Sequence, residues 1–155
     1  MPAQPPRRGR PPAPPTTAEA ISHDRLREKL TESMSATIPA RTRRDIRVPG
    51  IPGKALAVIG VRRGGKTSLL HVRMAARVAE GQARESQLLL ELEDERLEGM
   101  TAQDLGWIIE EHGRRYPHVR RGGALGGTLW LYLDEVQVVP RWETLVHRLL
   151  TPATT

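Results

Sequence analysis

From Ala55 to Ile59 the chain runs Ala-Leu-Ala-Val-Ile without a polar side chain, and the run stops at Gly60. An unbroken apolar run of that length predicts a strand buried on both faces. Two more runs, Gln87–Glu91 and Thr128–Leu133, predict two further strands. Between and around them the apolar positions take helical spacing. Leu69 to Glu80 reads as a helix. Thr101–Arg115 reads as another, with Leu105, Ile108 and Ile109 facing inward and Thr101 as its N-cap. Thr17–Ser35 carries Ile21, Leu26 and Leu30 on one face and is capped by Thr17 or Ser22. A last helix follows the third strand. Strands alternating with helices predict an α/β fold around a parallel sheet.

Punctuation marks the joins. Pro49-Gly50 and Pro52-Gly53 read as turns, and Gly122–Gly127 as a flexible turn in which a second phosphate loop is not expected. Pro2 to Thr17 holds seven prolines and three arginines with almost nothing apolar, and predicts an extended, disordered tail. The expected organisation is therefore a tail over residues 1–16, a helix and basic connector over 17–50, and a core over 51–155. The first fifty residues are expected to add little to that core.

Composition narrows the setting. There is no Phe, and only 3 Trp and 2 Tyr, so the core must rest on Leu, Val, Ile and Ala. The absence of cysteine excludes disulfides and thiolate metal sites and points to a reducing, cytoplasmic setting. No run approaches the roughly 18 apolar residues of a membrane span, and the N-terminus lacks the apolar stretch of a secretory signal. Charge is lopsided. Residues 1–50 hold ten basic and five acidic side chains, while residues 51–155 hold fourteen and thirteen. The basic first third could contact nucleic acid or an anionic surface. It has no interleaved aromatics, so a solvated arginine-rich tail is the favoured reading over a nucleic-acid partner.

The chemistry lies where the first strand breaks off. Gly60-Val61-Arg62-Arg63-Gly64-Gly65-Lys66-Thr67-Ser68 spells G-x-x-x-x-G-K-T, the P-loop or Walker A pattern, between a predicted strand and a predicted helix. Gly60 and Gly65 would let successive backbone N–H groups turn inward onto phosphate oxygens. The helix behind them adds its positive end and unpaired amides. Lys66 would reach the β- and γ-phosphates and Thr67 would bind Mg²⁺. Arg62 and Arg63 sit at variable positions that often face solvent, and no catalytic role is assigned to them. By composition the pattern arises by chance in roughly one chain in two hundred of this length. Lys29, Lys54 and Lys66 are the only lysines among 24 basic residues, which makes an accidental lysine here still less expected.

A second motif ends the third strand. Leu129-Trp130-Leu131-Tyr132-Leu133 delivers Asp134-Glu135 to the strand's C-terminal end, in the manner of a Walker B motif and where ligands bind in open α/β sheets. Asp134 would help hold Mg²⁺, usually through a water, and Glu135 would orient and deprotonate an attacking water. The bland alternative is a strand that meets solvent with two acids. Glu91, Glu93, Asp94, Glu95 and Glu98 form another acidic cluster, whose spacing matches no metal loop and reads as solvated. His112 and His118 have no partners at zinc spacing.

The stretch Leu131 to Gln137, followed by Pro140 and Arg141-Trp142-Glu143, resembles a group of AAA+-like ATPases of bacteria and archaea. In that group a P-loop core is joined to a C-terminal domain of unknown function. The resemblance extends to Arg62-Arg63 and to Leu92-Glu93-Asp94-Glu95-Arg96-Leu97, and covers Arg44 to Leu150, about two thirds of the chain. Val61 where a Pro is common, the extra Gly64, and Leu92 in place of a frequent Phe are departures that remove no charge and no required glycine. The resemblance implies a further strand between the P-loop strand and the Asp134 strand, with a polar sensor residue, and an arginine finger and lid beyond it. The chain ends at Thr155. It is accordingly expected to be a C-terminally truncated member, with a gap in the sheet beside two apolar strand edges. The resemblance also sets the acidic loop after the second strand beside the nucleotide.

Together these readings predict an α/β P-loop NTPase fold, AAA+-like and incomplete, that binds ATP with Mg²⁺. Hydrolysis would use water activated by Glu135, with Lys66, Thr67 and the metal stabilising the developing charge. The alternative is a non-hydrolysing binding module or degenerate fragment that acts through an intact relative. A small-molecule kinase is disfavoured, because Asp134-Glu135 is a water-activating pair. Partners left open are a homo-oligomer or another protein. No membrane partner is expected.

Overall fold

The computed structural model describes residues 20–42, 54–61, 63–120 and 128–151. Thr17, Arg62 and the Gly122–Gly127 turn, all named above, lie outside them. Among the described residues five α-helices and two strands occur in the order α1 (His23–Ser35), α2 (Lys66–Ala79), β1 (Gln87–Glu91), α3 (Ala102–Arg115), α4 (Pro117–Arg120), β2 (Trp130–Asp134) and α5 (Trp142–Leu150). The strands pair in parallel, in a register that sets Gln87 opposite Trp130 and Glu91 opposite Asp134. A parallel pair needs a long crossover, and here α3 and α4 supply it.

Local signals account for the helix ends. Ser22, in extended conformation, caps α1 by accepting from the Arg25 amide. Thr101 and Asp104 make a reciprocal capping box at the start of α3, and Arg114 and Arg115 close its last turn, where cations favour the helix dipole. Behind the caps, Leu105 and Ile108 are fully buried and Ile109 packs on the core from its margin.

Three sequence expectations are corrected. Ala55–Ile59 is not a strand. It runs without regular structure, with Leu56 53% and Ile59 94% exposed. An apolar run becomes a strand only when a neighbour takes its backbone N–H and C=O groups, and among the described residues none does. The third predicted strand starts two residues later than expected and takes in Asp134, because pairing with β1 fixes its span. The first fifty residues do contribute to the core. Ile21, Leu26 and Leu30 belong to the same buried cluster as Leu88, Leu90 and Leu105, and Leu26 and Leu30 are completely buried. Burying two leucines contributes roughly 1.5–3 kcal/mol each.

Helix α1 also protects a sheet edge. The outer edge of β1 would present bare carbonyls. Ser33 Oγ donates to Leu89 O at 2.5 Å and the Arg84 guanidinium donates to Gln87 O at 2.8 Å. Arg84 also reaches Ser33 O and Ala36 O, which ties the end of α1 to the start of β1. On the other strand, the Arg77 guanidinium of α2 lies 3.6 Å over the Trp130 ring.

Candidate functional site

The site is built where α2 begins and β2 ends. The turn before α2 closes by a Gly64 N–H bond to Val61 O at 3.0 Å, and Gly65 caps the helix at φ +84°. That backbone is left-handed, the region glycine enters without steric penalty. Gly64 is required for space. A Cβ there would stand 2.9 Å from Val61 O, whereas one at Gly60 would meet nothing within 4 Å. The glycine that looked supernumerary in sequence is therefore the constrained one, and Gly60, expected to shape the curl, is not crowded.

Lys66 is the first residue of α2. Its ammonium donates to Gly60 O at 3.1 Å and to Val61 O at 3.2 Å, and lies 3.8 Å from Glu135 Oε1. Thr67 Oγ1 donates to Asp134 Oδ2 at 2.5 Å. Asp134 is only 8% exposed at the end of β2. Glu135 follows at φ +53°, an unusual backbone for a non-glycine residue. Gln137 Nε2 donates to its carboxylate. Arg63 also takes a left-handed conformation, φ +62°, and is exposed like Val61, while Ser68 sits partly buried in the first turn of α2. Four of the predicted residues, Lys66, Thr67, Asp134 and Glu135, thus come together across 67 residues of sequence.

Thr67, Asp134 and Glu135 line a polar recess of about 200 Å³ whose other walls are Glu91, Leu92 and Glu93, and Lys66 reaches its edge through Glu135. From spacing alone those acids read as solvated, and only the family resemblance set their loop at this end of the sheet. The parallel register accounts for it, since pairing Glu91 with Asp134 carries the loop after β1 to the same end of the sheet. Leu92 N–H donates to Asp134 O at 3.1 Å and fixes that loop against β2. A hydroxyl and a carboxylate in contact at the floor of a carboxylate-walled recess are hard oxygen donors, the type Mg²⁺ takes. They fit that ion. The N-terminal end of α2 adjoins the same recess through Thr67, and that end of a helix favours anions.

One turn along α2, His71 is buried and its Nδ1 has no protein hydrogen-bond partner. Burial pushes its pKa down, although Glu91 and Asp134 pull the other way. His112, unassigned from sequence, is completely buried in α3. Its Nε2 bonds Glu85 O at 2.8 Å, and burial again lowers its pKa.

A glycine turn opening a helix, set against the acidic end of a parallel strand, defines an α/β protein of the P-loop nucleotide-binding class. The chain belongs to the AAA domain family, whose pattern matches residues 52–154. It is an AAA-like nucleotide-binding module. It is also 29% identical over 106 residues to an uncharacterized protein of Methanocaldococcus jannaschii, an alignment that takes in 68% of this chain and 21% of that protein. The chain thus spans about a fifth of that relative's length. No solved structure matches it.

Proposed function

We propose that the recess between the start of α2 and the end of β2 binds ATP with Mg²⁺, and that the chain hydrolyses it to ADP and phosphate. The observation that carries this reading is the 2.5 Å contact between Thr67 Oγ1 and Asp134 Oδ2, a loop hydroxyl set against a strand-end carboxylate. The backbone from Gly60 through Val61, Arg62, Arg63, Gly64 and Gly65 to Ser68 cradles the phosphates. Lys66, whose ammonium donates to two loop carbonyls, is the cation available to the β- and γ-oxygens. Thr67 and Asp134 would hold Mg²⁺, which when bound neutralises charge on the phosphates. Glu135 takes the proton of the attacking water as its oxygen bonds to the γ-phosphorus and the bond to the β–γ bridging oxygen breaks, leaving ADP.

A second reading, a module that holds nucleotide without hydrolysing it, has its own support. The Glu135 carboxylate is engaged by Gln137 and faces Lys66 at 3.8 Å, which occupies the base that hydrolysis needs. Phosphate release by the wild-type chain and by Glu135→Gln separates the two. Hydrolysis predicts a rate that falls about 10²–10⁴-fold in the variant while nucleotide affinity is kept, the range expected for loss of a general base. Binding without release, identical in both chains, would favour the second reading.

A further inference from the structure

The proposed base sits in a segment fastened on both sides. Before Glu135, the Asp134 carbonyl accepts from the Leu92 amide at 3.1 Å. After it comes a single 3₁₀ turn over Val136–Val138. That turn closes by Val138 N–H bonding Glu135 O at 3.1 Å and Val139 N–H bonding Val136 O at 3.0 Å. Val139 is completely buried and Val136 packs on the core, which fixes where the turn lies. Its middle residue, Gln137, is exposed and stands outside the core. The Gln137 side chain turns back across two residues and donates from Nε2 to Glu135 Oε2. The other carboxylate oxygen, Oε1, is the one that lies 3.8 Å from Lys66 Nζ. An ionised carboxylate only accepts, so the amide must meet it with its N–H groups.

We propose that Gln137 is a positioning residue for hydrolysis, whose amide holds Glu135 Oε2 so that Oε1 is left to take the proton of the attacking water; this role rests on the hydrolytic reading above. Lys66 and Gln137 are the partners of that carboxylate among the described residues, and they differ in kind. The Lys66 contact is an ion pair at 3.8 Å, too long for a hydrogen bond, and the same ammonium is the one the β- and γ-oxygens recruit. Nucleotide therefore draws Lys66 off Oε1. Gln137 has no charge to offer a phosphate and keeps its bond. A carboxylate has about four lone-pair sites, so one neutral donor at Oε2 orients the group without using up its capacity to accept a proton. Orientation matters here because a general base acts only within hydrogen-bond reach of the water it deprotonates. Glu135 also has a left-handed backbone, φ +53°, of the kind a non-glycine residue keeps only where its surroundings hold it. The contact that would idle the base in a binding module thus serves, in a hydrolase, to aim it.

The test is steady-state phosphate release from Mg²⁺-ATP by the full chain, with ATP affinity measured separately by calorimetry. Gln137→Met keeps the length of the side chain and removes the donor. It should lower kcat roughly 10–100-fold, the worth of a hydrogen bond to a charged group, and leave KM and ATP affinity unchanged. Gln137→Glu puts an acceptor where the donor was and should lower kcat at least as far, and it carries the same test if Gln137→Met does not fold. A role exerted through Glu135 also predicts non-additivity, so Gln137→Met placed on top of Glu135→Gln should cost no further rate. A folded Gln137→Met that keeps the wild-type kcat would overturn the proposal. So would a loss that appears in KM and affinity, or one that adds in full to the loss in Glu135→Gln. A wild-type chain that binds ATP and releases no phosphate would instead overturn the hydrolytic reading, and with it this role for Gln137.

Discussion

At the scale of single residues, environment decides what each titratable group does. His112 is completely buried, and its pKa lies below its ordinary 6.5 because burial disfavours the charged ring. His71 moves the same way for the same reason. As pH falls below about 6.5 the unfolded chain takes up protons that the folded chain refuses, so stability drops. Asp94, bonded to Arg96 and to Lys29, and Glu32, bonded to Arg96, are held below their ordinary carboxylate values by those cations. Their contribution is complete above those ordinary values and is lost only as pH falls through the lower folded ones. Acid weakening should come in two steps. Melting temperature should start to decline as pH falls below about 6.5, then decline further below about pH 4. His112→Asn should flatten the first decline and leave the second. An unchanged profile in that variant would remove His112 from the account. Residue types were legible in the sequence here, but their surroundings were not. Lys66, Thr67, Asp134 and Glu135 could be named from spacing alone. Gly64 could not be told from Gly60, because the clash that singles it out is with a carbonyl placed by the folded turn.

At the scale of elements, α1 is an integral part of the core although the match to the family begins only at residue 52. Leu26 and Leu30 are fully buried, Ser33 covers a β1 carbonyl, and Arg115 of α3 donates to Thr31 at 2.8 Å. Leu30→Ala should therefore destabilise the whole fold by about 2–5 kcal/mol, as truncation of a buried leucine does. Chemical denaturation followed by circular dichroism would show it as a single shifted transition. Loss of α1 signal alone, with the rest unmoved, would contradict the role given to this helix. The helices were readable because caps and apolar spacing are local. Thr101 marks the start of a helix in sequence and in structure, and Ser22, offered in sequence as an alternative to Thr17, caps α1. Ala55–Ile59 shows the limit of that reading. Its side chains favour a strand, yet pairing is a property of a neighbour, and no neighbour can be read from the run itself. The same holds for Lys29 and Asp94, which meet across 65 residues.

At the scale of the whole molecule, two parallel strands and the helices around them bring the start of α2 to the acidic end of β2. The α/β class and the pairing of the two motifs were both visible in sequence, since a loop that cradles phosphate and a strand that ends in acids have use only together. The packing that unites them was not. It depends on the β1–β2 register, on Leu92 bonding Asp134 O, and on Arg77 lying over Trp130. The central claim is that this arrangement binds a nucleotide through its phosphates. Calorimetric titration of Mg²⁺-ATP into the wild-type chain and into Lys66→Ala tests it most directly. The account predicts saturable binding by the wild type and a loss of about 1.5–3 kcal/mol in the variant, the worth of hydrogen bonds to a charged group. A folded wild-type chain that takes up no Mg²⁺-ATP, or a Lys66→Ala variant that binds as tightly as the wild type, would contradict it.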